Sequence, residues 1–279
     1  KLRIRISASF CCFQNDKIIL TMKKLTTAFV AFLTAFSVNA QMAVFKKELV
    51  RPPQLTYYGL NHLGDTSSIV SNEIAKETLL KTFTFKDPFL GNISQYDERN
   101  PLKQLVFYKN TQQLVLLDNQ LSVKEKIVLT ERFPEIDAVY AALTSQASIW
   151  IFDYASKRWC IVSSQQDQPS FVSNPITIYS YLTTYGNFAY WQKDDVVYGM
   201  DIYGKVIQEQ NLPKKAQLLA INGDLLVYVS NNKLFLLNTK NNEAEQLAEV
   251  QSTIDSVIFN ANSLSVLTTD KLYLYHINK

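Results

Sequence analysis

Runs of four apolar residues, continuous or alternating, recur along the chain and end in a small polar residue. They are Leu114-Val115-Leu116-Leu117-Asp118, Ile149-Trp150-Ile151-Phe152-Asp153, Val197-Tyr198-Gly199-Met200-Asp201, Leu234-Phe235-Leu236-Leu237-Asn238 and, with histidine last, Leu272-Tyr273-Leu274-Tyr275-His276. Their last positions are spaced by 35, 48, 37 and 38 residues. Before each lies a second apolar run of strand length, across a short polar turn: 104–108, 139–143, 187–191, 225–229 and 263–267. Two strands joined by so few polar residues form a hairpin. A further strand follows in four units, at 126–129, 159–162, 206–210 and 245–250, and an earlier one leads most units, as at 176–183, 217–221 and 256–260. Tyr, Val, Ile and Phe dominate these runs, and a helical period does not fit them.

Four antiparallel strands in about forty residues make one propeller blade. The weaker stretch 55–83 follows the same order and supplies a sixth, with Asn72 in the place of Asp118. The last unit stops at Lys279 without an outer strand. A closed ring must take that strand from elsewhere, because an open ring leaves sheet edges unpaired; the segment Ala43 to Val50 is the natural donor. The expected fold is therefore an all-β, six-bladed β-propeller over residues 41–279, with the N-terminal segment closing the last blade.

With their third strands ending in an apolar residue and Asp, these units resemble the WD40 and quinoprotein-like group of propellers, Ser148-Ile149-Trp150-Ile151-Phe152-Asp153 coming nearest. The units lack the Gly-His and Trp-Asp dipeptides of WD40 repeats and the Gly- and Trp-rich cofactor motifs of quinoproteins. In general character the chain is also similar to exported bacterial scaffolding propellers, which implies a cell-envelope protein that binds another protein.

Composition adds an address. Met22-Lys23-Lys24, the uncharged run 25–38 and Val38-Asn39-Ala40 have the form of a secretory signal with cleavage before Gln41. The apolar run is shorter than the ~20 residues a bilayer core demands. Residues 1–21 read as upstream translation, 22–40 as the signal, and the product as periplasmic or outer-membrane associated, with no membrane insertion after cleavage. The first 40 residues hold six of the 28 Lys and Arg and one of the 25 Asp and Glu. The remainder carries 22 basic and 24 acidic groups, which gives no electrostatic reason to expect nucleic acid as a partner.

Candidate chemistry is sparse. Cys160 beyond the signal reads as a small core residue. His62 and His276 form no constellation, and no Gly-x-Ser-x-Gly or phosphate-binding loop occurs, so neither a catalytic set nor a cofactor is expected. Asp118, Asp153 and Asp201 read as acceptors for backbone N–H groups in the turns that follow them. Asp194-Asp195, Asp65 and Asp270 would occupy equivalent turns, and the cluster Tyr179, Tyr181, Tyr185, Tyr190 and Trp191 reads as packing between blades. The long stretch Ser163 to Pro175 suggests a partner-binding face with Phe171 and Phe133 as apolar anchors and Arg132, Lys193, Asp194, Asn231 and Asn232 around them. The expected function is a non-catalytic interaction module of the envelope. The alternative is an exported hydrolase or lyase acting on a sugar or lactone, with carboxylates or calcium in the channel. Acidic groups converging with an Asn or His in the channel would favour the enzyme, and an apolar plug would favour the scaffold.

Overall fold

The computed structural model describes residues 41–61, 63–163 and 165–278. The signal-peptide reading of 22–40, the upstream segment and His62 lie outside the described residues. Strands dominate the rest, in six four-stranded antiparallel sheets. The first is β2 (Leu55–Leu60), β3 (Thr66–Val70), β4 (Glu73–Glu77) and β5 (Thr82–Phe85). The second is β6 (Gln95–Asp97), β7 (Gln104–Tyr108), β8 (Gln113–Leu117) and β9 (Val123–Val128); a short helix, α1 (Leu129–Arg132), leads to the third. That sheet comprises β10 (Ala138–Leu143), β11 (Ile149–Asp153), β12 (Arg158–Val162) and β13 (Ser170–Phe171). The fourth is β14 (Tyr181–Tyr185), β15 (Phe188–Lys193), β16 (Val196–Asp201) and β17 (Val206–Asn211). The fifth runs β18 (Gln217–Asn222), β19 (Leu225–Ser230), β20 (Lys233–Asn238), β21 (Glu243–Glu249).

The sixth sheet has the order β1-β24-β23-β22, where β1 is Ala43–Val50, β22 Ile254–Asn260, β23 Ser263–Thr268 and β24 Lys271–Ile277. The chain's two ends are therefore clasped in one blade, with Ala43 opposite Ile277 and Val50 opposite Lys271. The expected fold is the observed one: a six-bladed propeller closed by the N-terminal strand. In each blade the first strand lies innermost, and β2, β10, β14, β18 and β22 pack beside their neighbours around the axis.

Six buried apolar clusters fill the six interfaces between consecutive blades. Strand β11 explains the continuous apolar runs. Ile149 and Ile151 face the second blade, while Trp150 and Phe152 face the fourth. Successive side chains point to opposite faces of a strand, and here both faces are covered, so every position must be apolar. Cys160 is a buried core residue between the second and third blades.

Three assignments shift. In the third blade, 139–143 and 149–153 are the first and second strands, and 159–162 belongs to the third, β12, so Asp153 ends a second strand. The stretch 163–175 is consequently not one inter-blade link, because β13 pairs with β12 inside it. In the first blade the charged strand β4 (Glu73–Glu77) lies between the strands expected at 68–71 and 78–83, and Asn72 sits in the tight β3–β4 turn at φ 64°. Thr78 takes the place of Asp118, accepting the N–H groups of Leu80 and Lys81. The fourth blade begins at Tyr181 rather than Ile176.

The repeated carboxylates do what their positions suggest. Asp118 Oδ1 accepts the N–H groups of Gln120 and Ser122, and Asp201 Oδ1 those of Tyr203 and Lys205, all at 2.9 Å. Asp153 accepts from Ser156 and Asp137. All but the Asp137 contact, which joins the end of β11 to the residue ahead of β10, are turn contacts that fix the reversal after a strand.

Candidate functional site

A cavity of about 290 Å³ follows the axis along the inner strands. It extends from Thr56, Gln95, Tyr181 and Ser256, near the beginnings of those strands, to a polar floor near their ends. A smaller cavity of about 150 Å³ lies at the other end of the strands, and Glu98, Arg99, Phe259 and Asn260 line both.

The floor is the turn Asp97-Glu98-Arg99, which emerges from β6. Asp97 Oδ1 accepts from Arg99 Nε at 2.8 Å, and Oδ2 accepts the Leu143 N–H of the third blade at 2.8 Å. Burial alone would raise the Asp97 pKa, but the adjoining guanidinium more than reverses it and holds the carboxyl below its ordinary range. Burial likewise opposes the charge on Arg99, and Asp97 outweighs it, keeping Arg99 firmly protonated. The same guanidinium reaches the fourth blade, donating to the Thr184 carbonyl and, at 3.1 Å, to Thr184 Oγ1.

Glu98 turns the other way. Its Oε1 accepts from Tyr57 of the first blade and from Asn260 Nδ2 of the sixth, both at 2.9 Å. Gly59 makes room for it: a Cβ on that residue would lie 2.0 Å from Glu98 Oε1. Burial raises the Glu98 pKa, against smaller opposing contributions from Ser67, Tyr57 and Lys76. The Tyr57 hydroxyl is pushed up by burial first and by the Glu98 charge second. One three-residue turn thus ties its own blade to the first, third, fourth and sixth.

The residues expected to bind a partner are placed less favourably. Phe133 is completely buried among Leu129, Ile136 and Leu105, so it is a core side chain and not a surface anchor. Phe171 is half-buried against the same cluster, with Arg158 over its ring at 5.0 Å. Arg132 does meet the long loop, donating to the Gln166 carbonyl at 3.3 Å. Lys193 and Asp194 belong to the next blade, Asn231 and Asn232 to the blade after that. Asp194, Asn231 and Asn232 have φ of 52°, 50° and 60°, the backbone that tight hairpins demand and that Asn and Asp tolerate. Their identity is explained by the turns.

Asp65 joins β2 to β3, unlike Asp194, Asp195 and Asp270, which lie in turns between second and third strands, so the four do not share one face. Among the described residues, no three His, Cys, Asp or Glu side chains are grouped to hold a metal ion. Tyr185 and Tyr190 pack between the fourth and fifth blades, Tyr179 and Trp191 between the third and fourth. Tyr181 packs beside the former pair and also lines the channel.

A second feature lies on the outer surface. Leu79 and Leu80, at the β4–β5 turn, are 99% and 92% exposed, and Leu63 and Leu102, at the β2–β3 and β6–β7 turns, are exposed too. First-to-second and third-to-fourth connections emerge on one face of a propeller, so these four leucines lie on the same face of the first two blades, Leu63 and Leu102 towards the axis and Leu79 and Leu80 towards the outer edge.

No protein-family model matches the sequence, and no curated protein matches it. Solved structures match in fold. A catalytically inactive virginiamycin B lyase from Staphylococcus aureus, with quinupristin, is similar at a TM-score of 0.56 and 12% identity over 84% of this chain and 100% of that one. A luciferin-regenerating enzyme is similar at 0.52 and 10%, over 82% and 92%. BBS1N, in complex with ARL6DN, is similar at 0.51 and 12%, over 82% and 79%. At such identities the likeness is one of fold, and this fold serves both enzymes and proteins that bind other proteins. No helix among the described residues is long and apolar enough to cross a membrane.

Proposed function

We propose that the protein is an exported, non-catalytic docking module of the cell envelope, and that the leucine-bearing face of its first two blades engages an apolar cleft on another protein. The exposed leucines carry this reading. Turns ordinarily hold Gly, Asn, Asp, Ser and Pro, and each fully exposed leucine forgoes about 1.5–3 kcal/mol of burial. The consecutive, almost fully exposed pair Leu79-Leu80, on the same face as Leu63 and Leu102, is the kind of apolar exposure that marks an interaction site. Asp97 and Arg99 of the channel floor, by contrast, are engaged with one another and with the third and fourth blades. The segment 22–40 supports export, and the near-balanced charge beyond it favours a protein over a nucleic acid.

The test compares the protein with a folded Leu79→Asp/Leu80→Asp variant as baits in envelope extract, with intact-mass measurement of the exported form. A stoichiometric partner retained by the first and lost by the second is expected, with a mass beginning at Gln41. Equal capture by both removes this face, and a mass retaining 22–40 removes the assigned export route. The convergence of Asp97 and Glu98 with Asn260 favours a second reading, an exported hydrolase or lyase acting on a sugar or lactone. Turnover of such a substrate that disappears in Glu98→Gln would establish it.

A further inference from the structure

Among the described residues, one charge of the channel floor has no counter-charge in contact. Asp97 and Arg99 neutralise each other. Lys76 is bonded to the Asn119 carbonyl and stands 3.7 Å from Asp65. Glu98 is left with neutral donors, the Tyr57 hydroxyl and the Asn260 amide, although it is only 5% exposed. The walls nearby are aromatic. Tyr57 and Tyr96 meet edge to face at 5.1 Å, and Tyr140 and Tyr181 also line the cavity. Their hydroxyls are already committed: Tyr57 to Glu98, Tyr96 to Gln104, Tyr140 to Thr184 and Tyr181 to the Leu219 carbonyl. What remains for a ligand is ring surface and a carboxyl. Tyrosine rings attract cations through their quadrupole, most strongly where water is excluded, and a buried carboxylate without a paired cation supplies the complementary charge. The cavity's volume is at the lower end for small-molecule sites.

We propose that the channel is a binding site for a small organic cation, an alkylammonium or tetraalkylammonium group, seated over Glu98 among the rings of Tyr57, Tyr96, Tyr140 and Tyr181. This goes beyond the docking reading and does not depend on it; it shares Glu98 with the enzymatic reading but requires no turnover. Binding is coupled to protons. Burial raises the Glu98 pKa in the empty channel, and an ammonium over the carboxyl favours its charged form. Affinity therefore falls as the pH is lowered, and between the Glu98 pKa values of the occupied and the empty channel binding releases a proton. Asp97, Arg99, Lys76, Tyr57 and Tyr96 also face Glu98; Asp97 is held below its ordinary range, and Tyr57 and Tyr96 are pushed well above theirs, so Glu98 is the group that changes charge.

Titration calorimetry of the purified protein tests this with tetramethylammonium chloride, methylammonium chloride and the neutral isostere 2,2-dimethylpropan-1-ol. Saturable one-to-one binding of at least one ammonium salt is expected, at least tenfold tighter than the alcohol and at least tenfold weakened in Glu98→Gln. The binding heat, followed as the pH is lowered to where affinity begins to fall, should differ between buffers of different ionisation enthalpy, as proton release requires. Absence of saturable ammonium binding, equal affinity for the alcohol, or unchanged affinity in a folded Glu98→Gln variant each overturns the proposal. If that variant does not fold, the isostere and buffer comparisons on the unaltered protein decide.

Discussion

Replacing Gly59 by alanine tests the channel floor directly. Gly59 lies in β2, and a methyl group there would stand 2.0 Å from Glu98 Oε1 and 2.9 Å from the Tyr57 ring. Neither neighbour can move freely: Glu98 is buried, and both 2.9 Å hydrogen bonds of its Oε1, from Tyr57 and Asn260, fix it. Overpacking of this kind costs about 1–3 kcal/mol. Displacing the carboxyl also breaks hydrogen bonds that contribute about 0.5–1.5 kcal/mol each, or more when the acceptor is charged. Alanine recovers roughly 0.5–1 kcal/mol through its lower unfolded-chain entropy. The net expectation is a loss of about 2–4 kcal/mol, a fall in Tm of roughly 5–15 °C for a domain of this size.

The assay is denaturant unfolding followed by Trp fluorescence, run as a double-mutant cycle with Glu98→Ala. Removing the carboxyl frees the space that the methyl group needs, so the double variant should be more stable than the sum of the two changes predicts by at least ~1 kcal/mol. Additivity within ~0.5 kcal/mol, or a Gly59→Ala protein as stable as the parent, would refute the reasoning that Gly59 is there to seat Glu98.

Other outcomes follow from the same packing. Phe133→Ala should destabilise the fold by about 3–5 kcal/mol, whereas Phe171→Ala, which loses a partly exposed ring beneath Arg158, should cost about 1 kcal/mol; thermal melts of the two separate a core role from a surface one. Deleting 42–52 opens the β24 edge and should lower Tm by at least ~10 °C, because an unpaired edge is left along with the lost strand; an unchanged melt would contradict the clasp. The raised Glu98 pKa means that the folded state binds a proton more tightly than the unfolded one. Its contribution to stability is therefore present below the ordinary value of about 4.3 and is lost as the pH rises through the folded pKa; Glu98→Gln should flatten that part of the pH–stability curve.

The architecture was legible because each middle strand of a blade is covered on both sides. Leu114 and Leu116 face the third blade while Val115 and Leu117 face the first, which leaves an unbroken apolar run in the sequence. The clasp was legible by subtraction, from a last unit short of one strand. The third blade misled because β11 and β12 are both such runs, and only pairing across the blade tells the second strand from the third. Strand β4 carries Glu73, Lys76 and Glu77 around the buried Ile74 and has no apolar alternation to detect. The channel floor was invisible for a different reason. Strand β6 has three residues, and the partners of Glu98 lie 41 and 162 positions away in the chain. No local motif encodes such a meeting; the only signal was three charged residues in succession ahead of Asn100-Pro101.

The floor also offers a test of why its charges are retained. Asp97 and Arg99 lie side by side, the carboxylate taking the Leu143 N–H and the guanidinium taking Thr184. Breaking a buried pair by removing one partner costs about 3–5 kcal/mol, since the other charge is left uncompensated. Asp97→Asn keeps the size and an acceptor for Leu143 but strands the guanidinium, which is 24% exposed and so partly solvated, and it should fall at or below the lower end of that range. Arg99→Met strands the carboxylate and frees Thr184, and should cost a similar amount. The double variant Asp97→Asn/Arg99→Met removes both charges together, leaving as its main penalty the unpaired Thr184 carbonyl at about 1–3 kcal/mol. It should therefore be more stable than the summed single changes by at least ~2 kcal/mol, read from denaturant midpoints at pH 7. If the three losses are additive, the two side chains do not act as a pair, and the turn holds the blades together through its backbone and through Glu98 alone.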